Sequence, residues 1–216
     1  MSNNQDFRTR AEGLILQINS GSASEREVEL FLTDLKTAMR SSPTLGKELG
    51  PLIPKINKAQ NSRLEIPQFD WVQVGNGHLA VGHKPGGKIS FEGMKQAGVT
   101  AVLTLLQENE GSQQIGQALE RVQIEWLWFP FSAVRPQPRE ETEALFLKMK
   151  SLLEQQAKIY IHCSAGIHRT GMVTYAFLRY FGLSPEEAMA RLAEMRQLTA
   201  DGATPGRLEW GDGFGS

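Results

Sequence analysis

From Pro67 to about Gln197, short apolar runs alternate with stretches whose apolar residues recur at helical spacing. A short strand that is apolar on both faces is stable only when both faces are covered, and helices lying between successive parallel strands cover them. The pattern therefore predicts an α/β fold with a central, largely parallel sheet flanked by helices. Trp71 to Val74 and His78 to Val81 flank Gly75-Asn76-Gly77 and read as a hairpin. Strands are expected at Val99 to Leu106, Ile124 to Phe129 and Lys158 to His162, and helices at Ser90 to Ala97, Gln113 to Val122, Arg139 to Gln156 and Thr170 to Phe181. Ser184-Pro185-Glu186-Glu187 places a capping serine, a proline at the first helical position and a glutamate two residues later, opening a helix to about Gln197.

The first 66 residues have a different pattern and form an expected helical extension, leaving 67–216 as the main domain. Phe7, Leu14, Ile15 and Ile18 approximate a stripe over Asp6 to Asn19, and a break is expected at Ser20-Gly21-Ser22. Ser24 with Glu27 forms a capping-box pattern ahead of Val28, Phe31, Leu32, Leu35 and Met39. Gly50-Pro51 and Pro54 interrupt Leu45 to Lys58, so that segment is expected as a short or broken helix.

Charge narrows the function classes. The 216 residues hold 23 Lys+Arg against 24 Asp+Glu, a net charge of -1, which gives no electrostatic basis for binding nucleic acid. No stretch has the length and hydrophobicity of a membrane span, and the N-terminus does not resemble a secretory signal. A soluble cytoplasmic protein is expected, with no nucleic-acid or membrane partner and with its oligomeric state left open. The single cysteine, Cys163, excludes an internal disulfide framework and any site built from several cysteines.

That cysteine lies where an apolar strand ends and a helix begins, in His162-Cys163-Ser164-Ala165-Gly166-Ile167-His168-Arg169-Thr170-Gly171. A loop entering a helix aims several backbone N–H groups and the positive end of the helix dipole at one point, which suits a bound anion. The same field stabilises a thiolate, lowering a cysteine pKa from about 8.5 to as little as about 3.5–7.5. Arg169 adds a planar fork of donors matched to a tetrahedral oxyanion.

The stretch HCSAGIHRTG resembles the signature of the protein tyrosine and dual-specificity phosphatases: His-Cys, five residues, Arg, then Ser or Thr. Weaker similarity spans roughly 67–200, and Val81-Gly82-His83-Lys84-Pro85 resembles the start of the kinase-associated type. The resemblance implies that Cys163 attacks phosphorus to form a phosphocysteine and that Arg169 clamps the phosphoryl oxygens. Thr170 would bond the sulfur, and His162 would order the loop. Ser164, Ala165, Gly166, Ile167 and His168 would present backbone N–H groups to phosphate. No metal or other cofactor is implied. His168, where the family often has glycine, reads either as tolerated variation or as an aid to phosphate affinity.

The pattern breaks at the general acid. The resemblance places an aspartate in the loop Phe129 to Pro136, and the expected position is Ala133. Glu108, Glu110, Glu140, Glu141 and Asp201 are the candidates for an acid from elsewhere. Otherwise the enzyme works without one, or Ala133 marks a binding domain that traps phosphoproteins. The loop side chains include no lysine to meet further phosphates, which favours phosphotyrosine, with phosphoserine or phosphothreonine as further substrates, in a protein or peptide partner. Trp126, Trp128, Phe129 and Phe131 read either as a pocket wall or as core. Arsenate reduction and sulfur transfer are competing uses of such a loop; reductases of that kind usually need more than one thiol.

Overall fold

The computed structural model describes residues 2–19, 22–41, 43–61 and 66–215. It divides into two compact units, Met1–Glu65 and Ile66–Ser216.

The first unit is helical: α1 (Ser2–Asn19), α2 (Glu25–Ser41), α3 (Pro43–Leu49) and α4 (Leu52–Asn61). Phe7, Ala11, Leu14 and Ile18 recur along one face of α1 and bury against Val28, Phe31 and Leu35 of α2 and Leu49, Leu52 and Ile56 of the shorter helices. Ser24 caps α2: its backbone N–H donates to Glu27 Oε2 at 2.7 Å and its Oγ accepts from the Glu27 N–H at 3.2 Å. The expected interruption falls at Gly50-Pro51, between α3 and α4. Pro54 does not break α4, because it lies in the first turn, where a backbone N–H has no intrahelical acceptor. Of the break expected at Ser20-Gly21-Ser22, the first two residues lie outside the described set.

The second unit is built on a five-stranded sheet in the order β1-β2-β5-β3-β4, where β1 is Val72–Val74, β2 Gly77–Gly82, β3 Ala101–Thr104, β4 Glu125–Trp128 and β5 Lys158–His162. Only the β1–β2 hairpin is antiparallel. β5 lies in the middle, paired in parallel with β2 and β3. Its residues Ile159, Tyr160 and Ile161 are fully buried, as expected of a strand covered on both faces.

The helices are α5 (Phe91–Gln96), α6 (Ser112–Arg121), α7 (Arg139–Glu154), α8 (His168–Tyr180), α9 (Pro185–Met195), α10 (Gln197–Asp201) and α11 (Pro205–Asp212). Ser184 caps α9 as its sequence predicts. α8 contributes Val173, Ala176 and Phe177 to the core, with Phe146 of α7 stacked edge-on at 5.5 Å from Phe177. The last two helices have no clear sequence signal, since α10 is a single short turn and α11 contains Gly206 and Gly211. Tertiary packing holds α11 in place: a side chain at Gly211 would press into the Tyr175 ring and lie 3.3 Å from the Ala176 Cα.

Candidate active site

Parallel strands direct their carboxyl ends to one edge of the sheet, and the connections leaving β2, β3, β4 and β5 open there. After His162 the chain turns through Cys163–Ile167 and enters α8. Gly166 takes the left-handed conformation, φ 65°, and a Cβ there would collide with the Gly82 carbonyl, so glycine is required on both counts.

The loop's carbonyl groups are engaged from behind. Lys84 N–H donates to Ser164 O at 3.1 Å. Arg196 Nη1 donates to Ala165 O at 3.1 Å and Gly166 O at 2.9 Å, and Thr199 Oγ1 donates to Gly166 O at 2.6 Å. Because a peptide group points its N–H opposite to its C=O, holding the carbonyls outward turns the amide hydrogens inward.

The inward groups act on Cys163, which is 4% exposed. Burial pushes its thiol up, but the Thr170 hydroxyl and the N–H groups of Thr170, Ile167 and Gly166 together outweigh burial, and the pKa lies below its ordinary value. The fully buried Thr170 hydroxyl has no nitrogen or oxygen partner of good geometry; the sulfur, a longer and less directional acceptor, is the group it serves.

Arg169 is held from the other side. Its Nη1 donates to Glu110 Oε2 at 2.6 Å and its Nη2 to Glu110 Oε1 at 2.7 Å, while Nη1 also reaches Leu105 O at 3.3 Å. Glu110 ends a short 3-10 turn, Glu108–Glu110, and its Oε2 also accepts from Gln107 N–H at 2.8 Å. The hydrogen bonds from Arg169 hold the Glu110 carboxyl below the usual carboxylate range, despite partial burial.

His162 lies fully buried opposite Thr104 in the β3–β5 register. The Cys163 carbonyl, 3.0 Å from His162 Nδ1, can only accept, so Nδ1 carries the proton. Nε2 then accepts from Thr104 Oγ1 at 2.9 Å, and that oxygen accepts from Trp126 Nε1 at 3.0 Å. Burial lowers the His162 pKa to about 4, so the ring is neutral and orients the loop without titrating near neutrality.

An open cleft of about 1030 Å³ lies over Arg169 and His168, bounded by Glu110 and by the connection from Pro130 to Pro138. Ala133 lines it, at the position where the sequence leads one to expect the acid. Of the five alternative acids, Glu108, Glu140, Glu141 and Asp201 do not line this cleft. Glu110 does, but it is bonded as a carboxylate to Arg169 and has no proton to give. Of the aromatics that read either as pocket wall or as core, Phe129 and Phe131 are both core, Phe131 also bordering the cleft, and Trp126 and Trp128 direct their Nε1 groups to Thr104 and Leu106. Thr104, Arg196 and Thr199 are invisible as site residues in the sequence, since each lies more than 25 residues from the loop they support and none belongs to a local motif.

The family described as Swiss Army Knife protein, DSP-PTPase phosphatase domain (PTP-SAK) matches residues 67–205, more than half of the chain. The chain belongs to this dual-specificity phosphatase family. Solved structures with a similar fold include kinase associated phosphatase with serine in place of its catalytic cysteine, at 18% identity and a TM-score of 0.59, covering 68% of this chain and 93% of that one. The active form of Tk-PTP matches at 20% identity and a TM-score of 0.52, over 66% and 93% of the two chains. PTPMT1 in complex with PI(5)P matches at 18% identity and a TM-score of 0.53, over 67% and 93%. No curated protein sequence matches. As a phosphatase of this fold, the DSP-PTPase domain acts on phosphoric monoesters. Among the described residues no cluster of His, Cys, Asp and Glu is arranged to hold a metal ion, and no helix is long and apolar enough to cross a membrane.

Proposed function

We propose that the chain is a cysteine-dependent phosphatase acting through a phosphocysteine, with phosphotyrosine in proteins or peptides as its substrate. The observation that carries this reading is the buried Cys163 thiol whose pKa is nevertheless lowered, by Thr170 and inward-facing loop amides. The thiolate attacks phosphorus, an S–P bond forms, and the bond to the ester oxygen breaks with its electron pair leaving on that oxygen. Water then attacks phosphorus, the S–P bond breaks, and Thr170 receives the returning thiolate while the water's proton passes to solvent. Arg169 and the loop N–H groups of Ser164 through His168 bind the phosphoryl oxygens, strengthening as charge redistributes. The single thiol suits a reducing compartment such as the cytoplasm.

A phenolate leaves with little protonation, and the cleft offers no carboxyl free to protonate an alkoxide, which supports an aryl ester over an alkyl one. The same observation favours one second reading, a domain that binds phosphoproteins without turning them over. Hydrolysis of para-nitrophenyl phosphate by the wild type and by Cys163→Ser separates the two. Cys163-dependent release with rapid turnover supports the enzyme, and tight phosphopeptide binding with no such release supports the binding domain.

A further inference from the structure

Two of the peptide groups that donate to Cys163 are held from outside the loop by one side chain. The N–H groups of Gly166 and Ile167 help to lower the Cys163 pKa. The carbonyls of those same two peptide units are Ala165 O and Gly166 O, and Arg196 Nη1 donates to both, at 3.1 and 2.9 Å. Arg196 stands between α9 and α10 in extended conformation, φ -172°, with its own N–H closing α9 on Leu192 O at 3.0 Å. The other arm of its guanidinium, Nη2, meets His83 Nε2 at 2.9 Å.

The His83 backbone is fixed against the same loop on both sides. Gly82 before it is the residue whose carbonyl a Cβ at Gly166 would strike, and Lys84 after it donates its N–H to Ser164 O at 3.1 Å. His83 O itself accepts from the Tyr160 hydroxyl of β5 at 2.9 Å. The imidazole is therefore carried on backbone tied to the loop it faces through Arg196. A guanidinium can only donate, so Nε2 accepts, Nδ1 carries the ring proton and the ring is neutral. The charges around it are all positive. Partial burial, then Arg196 and Lys88, hold the His83 pKa below the ordinary histidine value, while Lys84 Nζ is tied to Glu110 O at 3.0 Å. Among the described residues neither His83 nor Arg196 forms an ion pair with a carboxylate, so a proton added to the ring meets nothing to balance it.

We propose that His83 is a positioning residue for the phosphate loop: its neutral ring braces Arg196 against the Ala165 and Gly166 carbonyls, and protonation of the ring withdraws the brace. This rests on the reading of Cys163 as the phosphatase nucleophile and adds control of that thiol by a titrating group that does not line the cleft. With Nε2 protonated, donor faces donor and cation faces cation, and the contact opens. Thr199 still holds Gly166 O at 2.6 Å, so the Ala165–Gly166 peptide is the one that loses its tether, and with it the Gly166 N–H directed at the sulfur. The thiolate is then less stabilised and the Cys163 pKa rises. Because the ring is neutral at pH 7 and charges only as pH falls below about 6.5, the thiolate is lost on acidification more steeply than the cysteine alone would lose it.

The rate of Cys163 alkylation by iodoacetamide, followed on the full chain from about pH 5 to about pH 9, reads the thiolate population. Wild type is compared with His83→Gln, whose Oε1 can accept from Arg196 at every pH, and with His83→Lys, which places a positive charge there at every pH. The ratio of rates between about pH 7.5 and about pH 5.5 should be larger in wild type than in His83→Gln by about two- to fivefold, the size of an exposed charge coupling. His83→Lys should raise the pH midpoint of alkylation, and about 1 M salt should reverse part of that rise by screening the repulsion, which a packing defect would not show. Superimposed profiles for wild type and His83→Gln, a His83→Lys midpoint equal to that of wild type, or a raised midpoint that salt leaves unmoved would each overturn the proposal and leave Cys163 as the nucleophile. A wild-type thiol that ionises like free cysteine, near about pH 8.5, refutes the phosphatase reading itself and the brace with it.

Discussion

Both oxygens of the Glu110 carboxylate accept from Arg169, at 2.6 and 2.7 Å, with the two residues partly exposed at 31% and 21%. The pair joins the start of α8 to the turn that follows β3, and it fixes the plane of the Arg169 guanidinium. A carboxylate so engaged orients; it does not donate protons. Glu110→Gln, retaining one acceptor, is expected to lower kcat/KM for para-nitrophenyl phosphate by about tenfold or more. Since no carboxyl in the cleft is free to act as acid, any alkaline limb of the kcat profile should stay where it is. Loss of that limb in the variant would identify Glu110 as the acid and contradict this assignment.

Ala133 lines the cleft that also borders Arg169. General-acid assistance is typically worth about 10²–10⁴ in rate. Ala133→Asp should therefore raise kcat on alkyl phosphomonoesters by at least about tenfold and affect aryl esters less. Steady-state rates on phosphoserine and para-nitrophenyl phosphate check this, and equal effects on both would mean that residue 133 does not face the leaving oxygen.

Arg196 and Thr199 hold the Ala165 and Gly166 carbonyls and so act on Cys163 only through the loop. Arg196→Ala is expected to raise the pH midpoint of Cys163 alkylation by iodoacetamide and to weaken vanadate inhibition several-fold. Arg196→Lys should recover part of both. Because Arg196 Nη2 also lies 2.9 Å from His83 Nε2, which must then accept, protonation of His83 opposes this arrangement. An unchanged alkylation profile in Arg196→Ala would leave that residue a purely structural role.

His162 links stability to pH. Its pKa falls from 6.5 to about 4 on folding, so between these values the unfolded chain binds more protons than the native one. The stabilisation is complete above about pH 6.5 and is lost as pH falls through 4, amounting to about 3 kcal/mol. In urea titrations followed by tryptophan fluorescence, wild type should lose about that much more than His162→Gln across the window. All four tryptophans, Trp71, Trp126, Trp128 and Trp210, lie in the Ile66–Ser216 unit, so the signal reports this unit alone. Parallel slopes for the two proteins would mean that His162 titrates normally.

Local information is enough for much of this protein. The apolar β5, the glycine at 166 and the cysteine and arginine six residues apart lie within one continuous stretch, where short-range sterics and the helix start dictate the geometry. The Ser24 and Ser184 caps were legible for the same reason: both partners of each bond lie three residues apart. α10 and α11 were not, because they lack their own periodicity and are held by contacts with α8 and α9.

What the tertiary structure alone decided is the surroundings of the sulfur. Thr104 meets His162 through sheet register, Glu110 reaches Arg169 across 59 residues, and Arg196 reaches the loop from 30 residues away. The cleft gathers Arg135 and Arg207 from separate elements. A sequence states which groups can ionise or donate, since that is a property of each side chain. Which of them share a cavity, and which are already neutralised there, depends on how the strands are ordered and the helices packed, and so is settled only when the chain has folded.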